Sequence, residues 1–149
     1  DPHCGAFAVI RLCSYFAAYL ALCACVQFTP RAGLLWTLAL VLERALSGLA
    51  VAAFPMAKNT GLAHTFATAA DRRTVRNVLL LLAVFLCAAL AALGGGVLAA
   101  AALAVFWRYH AMAKQQFGGI TGDLAGWFLQ KAELWMLAAL TACQWGGWL

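Results

Sequence analysis

Three groups of residues in this chain have the types and spacing to do chemistry. The first is Phe117-Gly118-Gly119-Ile120-Thr121-Gly122-Asp123, which places three glycines and one carboxylate directly before an apolar run. Glycine lets a backbone approach a ligand closely. Asp123 stands where an N-cap is expected, with helix from Leu124 onward. Free N–H groups at a helix start attract phosphate, and a carboxylate there can hold a hard cation such as Mg²⁺. A glycine loop with an ordinary cap is the plainer account of the same residues. The second group runs from Pro55 to Asn77 and holds Lys58, Asn59, Thr60, Gly61, His64, Asp71, Arg72, Arg73 and Arg76. A turn beside clustered cations suits phosphate, although a solvated basic loop needs no ligand, and His64 alone reads as a surface or cap histidine. The third group is Glu43-Arg44 in the middle of an apolar stretch.

The elements that must carry these groups are membrane helices. The chain has 149 residues, is 66% hydrophobic and only 10% charged, and its mean hydropathy is +0.88. Soluble domains carry about 25% charged residues. The length suits a single membrane domain covering residues 1–149, all-α, with about five transmembrane helices. The net charge of +5 is not arranged as a basic surface interleaved with aromatics, which argues against nucleic acid as a partner. The cysteines Cys4, Cys13, Cys23, Cys25, Cys87 and Cys143 form no C-x-x-C pair and read as small buried hydrophobes. The chain starts at Asp1-Pro2 without a Met or a basic leader, so no signal peptide and an incomplete N-terminus are expected.

Apolar runs predict spans over Ala6 to Phe28, Leu34 to Phe54 and Leu124 onward. Thr29-Pro30-Arg31-Ala32-Gly33 reads as a turn. Gly94-Gly95-Gly96 splits the remaining apolar stretch, which reads either as one long helix of about 30 residues or, preferably, as a hairpin of Val78 to Leu93 and Val97 to about Ala113, each arm near the short limit for a span. Charges at mid-bilayer cost about 2.5–3.5 kcal/mol each on insertion scales. Sequence neighbours do not face each other on a helix, so Glu43 and Arg44 each need a partner elsewhere. Arg44, Ser47 and Gly48 form a small polar stripe suited to close helix contact. On the last span, Asp123, Gly126, Gln130 and Glu133 share an arc of about 80°, with Glu133 about 15 Å below Asp123. Such a stripe is expected to face the bundle or a wet cavity. Glu133 is therefore the expected partner of Arg44, unless Arg44 reaches toward an anionic substrate. Trp127, Trp135, Trp145 and Trp148 suit an interfacial belt.

Orientation follows from the basic residues. With five spans, Lys58, Arg72, Arg73, Arg76, Arg108 and Lys114 fall on one side and Arg31 on the other. The first side is expected to be cytoplasmic. Asp1, His3 and both polar loops then converge on that face.

These residues resemble a known family. Gly118-Gly119-Ile120-Thr121-Gly122-Asp123, with Gly126 and Glu133 following, resembles the C-terminal signature of cobalamin synthase, adenosylcobinamide-GDP ribazoletransferase. Leu42-Glu43-Arg44-Ala45-Leu46-Ser47-Gly48 and Phe54-Pro55-Met56-Ala57-Lys58-Asn59-Thr60-Gly61-Leu62 resemble its central helix and the loop after it. Asp1-Pro2-His3-Cys4-Gly5-Ala6-Phe7 resembles a third segment. The similarity runs from Asp1 to about Leu140 and covers the later part of the family protein. An earlier aspartate cluster, implied to bind the divalent metal, has no counterpart in these residues. Glu43 for a small residue, Pro2 for Ser and Trp127 for Ala depart from the pattern, and Glu43 offers Arg44 a competing acid.

The resemblance implies a bacterial inner-membrane transferase with its active face in the cytoplasm. A hydroxyl of α-ribazole, or of its 5′-phosphate, would attack adenosylcobinamide-GDP and release GMP. It implies catalytic roles for Asp123, Arg44 and Lys58, and Mg²⁺ on Asp1 and Asp123. Substrate contacts would come from Asn59, Gly61, Arg72, Arg73, Arg76, Gly118, Gly119, Thr121, Gly122, Gly126 and Glu133. Without the aspartate cluster, these residues alone are expected to lack turnover. The other readings are a membrane phosphotransferase acting on a different nucleotide-activated alcohol, which needs clustered aspartates, and a transporter segment. The transporter reading lacks an internal repeat.

Overall fold

A computed structural model describes residues 5–55, 57 and 71–149. Asp1, Lys58, Asn59, Gly61 and His64 lie outside the described residues. Five helices follow one another: α1 Gly5–Cys25, α2 Pro30–Ala53, α3 Arg72–Ala92, α4 Gly96–Gln116 and α5 Gly122–Trp145. The first four are long and apolar enough to cross a membrane. The fifth is as long as α2, at 24 residues, but interrupts its apolar run with Gln130, Lys131 and Glu133. A helix of that length reaches about 36 Å, against about 30 Å of hydrocarbon. The protein is an all-α, multi-pass membrane protein, as its apolar runs predict.

Boundaries differ from the sequence reading at two places. Thr29 caps α2, its hydroxyl accepting from the Ala32 N–H at 3.1 Å, and Pro30 occupies the first turn. The expected turn at 29–33 is thus mostly helix, because proline's missing N–H costs nothing there. Likewise Asp71 caps α3, so Arg72, Arg73 and Arg76 belong to a helix and not to a loop. Arginine is a good helix former, and polarity alone did not reveal the start. The Gly94–Gly96 hairpin is present: Gly94 has φ +85°, and the Gly95 N–H reaches back to the Leu90 carbonyl at 2.7 Å. A side chain at Gly94 would collide with Arg31 Nη2 at 2.7 Å, and that guanidinium donates to the Leu93 carbonyl at 2.9 Å.

The bundle is built around α2, which packs on α3, α4 and α5. Its buried stripe is Ala32, Leu35, Ala39, Leu42, Leu46 and Ala50. Lipid tails are as apolar as leucine, so close backbone approach must hold the helices together. The facing alanines Ala99, Ala102, Ala113 and Ala132 supply that approach. Gly48 does the same against Leu79 of α3, which a Cβ at position 48 would meet at 3.1 Å. In contrast, α1 buries no residue and rests on α5. At its C-terminal end the amide of Gln144 clasps the Gln27 backbone, accepting from its N–H at 3.0 Å and donating to its carbonyl at 2.7 Å.

The cysteines correct the sequence reading. Among the described residues all are free, and only Cys143 is buried, whereas Cys13 and Cys25 are exposed on α1. An unburied peripheral helix explains this.

Candidate functional site

The C-termini of α2 and α4 and the N-termini of α3 and α5 share one end of the bundle. There two loops are joined by their backbones. The Ile120 N–H donates to the Pro55 carbonyl at 2.9 Å, and the Ala57 N–H donates to the Ile120 carbonyl at 3.0 Å. Ile120 is 1% exposed, so the glycine loop is anchored at its centre. Gly118 permits the reversal with φ +66°, and the Gly119 N–H returns to the Ala113 carbonyl at 3.0 Å. Beneath this bridge lies an aromatic cluster. Tyr109 stacks on Phe128 with ring centroids 5.2 Å apart, Phe54 lies 4.2 Å from His110, and Phe106 lies 5.6 Å from Phe128.

The helix cap differs from expectation. Thr121, not Asp123, is the N-cap of α5, its hydroxyl accepting from the Leu124 N–H at 3.2 Å. Threonine and aspartate both cap well, and the anchoring of Ile120 decides between them by fixing where the helix begins. Gly122 and Asp123 therefore form the first turn. There the helix dipole favours a negative charge, and the carboxylate has no side-chain duty to the cap. Asp123 and Gly126 are exposed, and a Cβ at Gly118, Gly122 or Gly126 would touch nothing within 4 Å. Among the described residues the surface around Asp123 is open.

Among the described residues, the other acid at this end, Asp71, is occupied. Asp71 accepts from the Thr74 hydroxyl at 2.6 Å and from the Arg73 N–H at 3.2 Å. These bonds, the hydroxyl first, hold its carboxyl below the usual carboxylate range, so it stays charged as a cap. Arg72, Arg73 and Arg76 are exposed on the first turns of α3. Lys114, near the end of α4, borders a small cleft of about 230 Å³ with Phe54, His110 and Gly119.

Deeper in the bundle, the expected ion pair is present. Arg44 Nη2 lies 3.0 Å from Glu133 Oε1, and the Tyr15 hydroxyl donates to Glu133 Oε2 at 3.4 Å. Glu43 stands 3.9 Å from the same guanidinium, is fully buried, and has no hydrogen-bond partner on either oxygen. Tyr15 was not foreseen, since one hydroxyl on an apolar helix gives no pattern. The polar stripe of α5 is less enclosed than expected: Asp123, Gly126 and Gln130 are exposed and Glu133 is half-buried. Glu133 is ten residues along α5 from Asp123, about 15 Å by helical rise. The structure thus brings Gly118, Gly119, Thr121, Gly122 and Asp123 together beside Pro55, and holds Arg44 with Glu133 separately.

Among the described residues no group of three or more His, Cys, Asp or Glu side chains could hold a metal. Mg²⁺ takes only one or two carboxylates beside phosphate oxygens and water. Asp123 fits as one such ligand.

Fold and site together define a helical membrane protein whose end with the Ile120–Pro55 backbone bridge carries a glycine-flanked carboxylate and, on a separate helix, exposed cations. A family model described as cobalamin-5-phosphate synthase matches residues 1–141, and the chain belongs to that family. It is 40% identical over 140 residues to a protein of Lachnoclostridium phytofermentans named adenosylcobinamide-GDP ribazoletransferase, over 90% of this chain and 52% of that one. The chain thus spans about half the length of the curated relative it matches. No solved structure matches it. The resemblance read from the three segments is correct.

Proposed function

We propose that this chain is the part of an adenosylcobinamide-GDP ribazoletransferase that presents Asp123 and the basic helix starts to the substrate phosphates. The observation that carries this reading is the backbone bridge between Ile120 and the Pro55–Ala57 segment. It fixes the glycine loop beside the segment that continues into Lys58-Asn59-Thr60-Gly61. The reaction is phosphoryl transfer, in which positioning and charge neutralisation supply most of the catalysis. A hydroxyl of α-ribazole or its 5′-phosphate gives up its proton to solvent and forms a bond to the cobinamide-side phosphorus of adenosylcobinamide-GDP. The bond from that phosphorus to the bridging oxygen breaks, and GMP carries the oxygen away. Mg²⁺ would neutralise phosphate oxygens, with Asp123 and Asp1 among its ligands. Lys58, Arg72, Arg73 and Arg76 would meet the pyrophosphate or the nucleotide as cationic donors. Asn59, Gly61, Gly118, Gly119, Gly122 and Gly126 would leave the substrate room and backbone contacts.

The full-length protein in membranes, given adenosylcobinamide-GDP, α-ribazole and Mg²⁺, is expected to release one GMP per cobamide formed. Turnover with another nucleotide-activated alcohol in place of the corrinoid, and none with adenosylcobinamide-GDP, would overturn the reading.

We further propose that this end faces the cytoplasm of a bacterial inner membrane. Lys58, Arg72, Arg73, Arg76, Arg108 and Lys114 stand against Arg31 at the other end. In a cysteine-free background, Gln116→Cys should resist an impermeant maleimide in intact cells and react after lysis. Trp148→Cys should react from outside. The reverse pattern would invert the topology.

A further inference from the structure

Three cations from three helices meet at one depth. Arg11 of α1, Arg108 of α4 and Lys131 of α5 line a single cleft of about 640 Å³. Helical rise places them about 9, 12 and 14 Å from the Gly5, Gln116 and Gly122 ends of their helices. Those ends all belong to the end of the bundle that carries the Ile120 bridge. Among the described residues no carboxylate lines the cleft, and the ion pairs are those of Arg44 alone. The positive charge is therefore uncompensated by the helices that create it.

A second groove of about 540 Å³ runs between α4 and α5 and shares Arg108, Trp127 and Lys131 with the first. Its other walls, Ala101, Ala104, Val105 and Trp135, are apolar. Ala101 is seven residues before Arg108, so the groove continues about 10 Å deeper into the bilayer. A basic opening whose long side chains extend toward the head groups, with an apolar trough below it, matches an amphiphile with an anionic head. Basic pockets between transmembrane helices recognise anionic head groups in this way, and long cationic side chains reach the interface from such depths.

We propose that the paired clefts hold an anionic phospholipid, its phosphate among Arg11, Arg108 and Lys131 and one acyl chain along Ala101, Ala104 and Trp135. A soluble phosphate would leave the apolar trough unused, and a neutral lipid would leave three cations unpaired. The site is separate from Asp123 and stands whether or not the proposed reaction is correct.

The test is lipid retention by the full-length protein in detergent, read by native mass spectrometry with dioleoyl-phosphatidylglycerol or dioleoyl-phosphatidylcholine. Retention of the glycerol lipid should exceed that of the choline lipid by about tenfold or more. Each single substitution Arg11→Gln, Arg108→Gln or Lys131→Gln should weaken it by about fivefold. Ala104→Phe, which fills the trough but keeps the cations, should weaken it as well. Equal retention of the two lipids, or single variants that keep the full preference, would overturn the proposal. So would displacement of the lipid by millimolar inorganic pyrophosphate, which would give the cations to a soluble phosphate.

Discussion

Asp123→Asn in the full-length protein should lose about 10²- to 10³-fold in turnover, the scale of removing one group that stabilises developing charge, while stability falls by no more than the roughly 0.3–1 kcal/mol of a lost helix-dipole interaction. The structure sharpens this expectation, because Thr121 holds the cap of α5 and Asp123 only follows it. Two roles that would coincide in one residue are therefore divided between neighbours. Thr121→Ala should cost about 1 kcal/mol of stability through loss of the cap, measured by thermal unfolding in detergent. Asp123→Ala should cost little stability, since the residue is exposed and loses only a dipole interaction of about 0.3–1 kcal/mol. Asparagine preserves shape and polarity but removes the charge that a hard cation requires. Raised Mg²⁺ should recover part of the activity of Asp123→Asn if Asp123 is one ligand among several. Wild-type turnover by Asp123→Asn at ordinary Mg²⁺ would end the metal role. A fall in stability of Asp123→Ala matching that of Thr121→Ala would return the cap to Asp123.

What the sequence made legible follows from how few partners a membrane offers. Within an apolar helix, Arg44 stands out, and Glu133 is the acid on another span at a similar depth, so the pair could be named before its geometry was seen. The Gly94–Gly96 hairpin was only partly legible: three consecutive glycines interrupt an apolar run long for a single crossing, but each arm is near the short limit for a span and one long helix fitted the same pattern. The Ile120 bridge was not, because it is made by backbone groups, and one isoleucine in a glycine loop leaves no side-chain signature. That bridge in turn moved the helix start by fixing Ile120 outside α5, a choice that Thr121 and Asp123 leave open on cap preference alone. The meeting of Arg11, Arg108 and Lys131 was hidden for another reason. Each cation taken singly is an ordinary snorkelling residue, and only the packing of α1 and α4 against α5 places them on one cleft.

The Glu43, Arg44 and Glu133 cluster makes a prediction in which the two acids behave oppositely. One guanidinium cannot neutralise two carboxylates. Glu133 is the closer partner, at 3.0 Å, and accepts a further bond from Tyr15. Glu43 is buried without a hydrogen bond, where a polar group costs about 1–3 kcal/mol. Glu43→Leu should therefore leave stability unchanged or raise it by about 1–3 kcal/mol. Glu133→Leu should lower it, but by less than the roughly 3–5 kcal/mol of an enclosed pair. Glu43 remains 3.9 Å from the Arg44 guanidinium and accepts part of the lost interaction. The double variant removes that reserve and strands the cation. Its loss should exceed the sum of the single effects by about 1–3 kcal/mol, the coupling expected for residues that share a partner. Arg44→Met should be tolerated better than the double variant, because removing the cation leaves acids that can be held protonated, whereas arginine keeps its charge. Unfolding in mixed micelles, followed by circular dichroism, measures the four variants. Strict additivity, with Glu43→Leu as damaging as Glu133→Leu, would show that Arg44 depends on both acids equally. Loss of turnover in Arg44→Met at unchanged stability would instead assign the guanidinium to substrate, and would end its structural role.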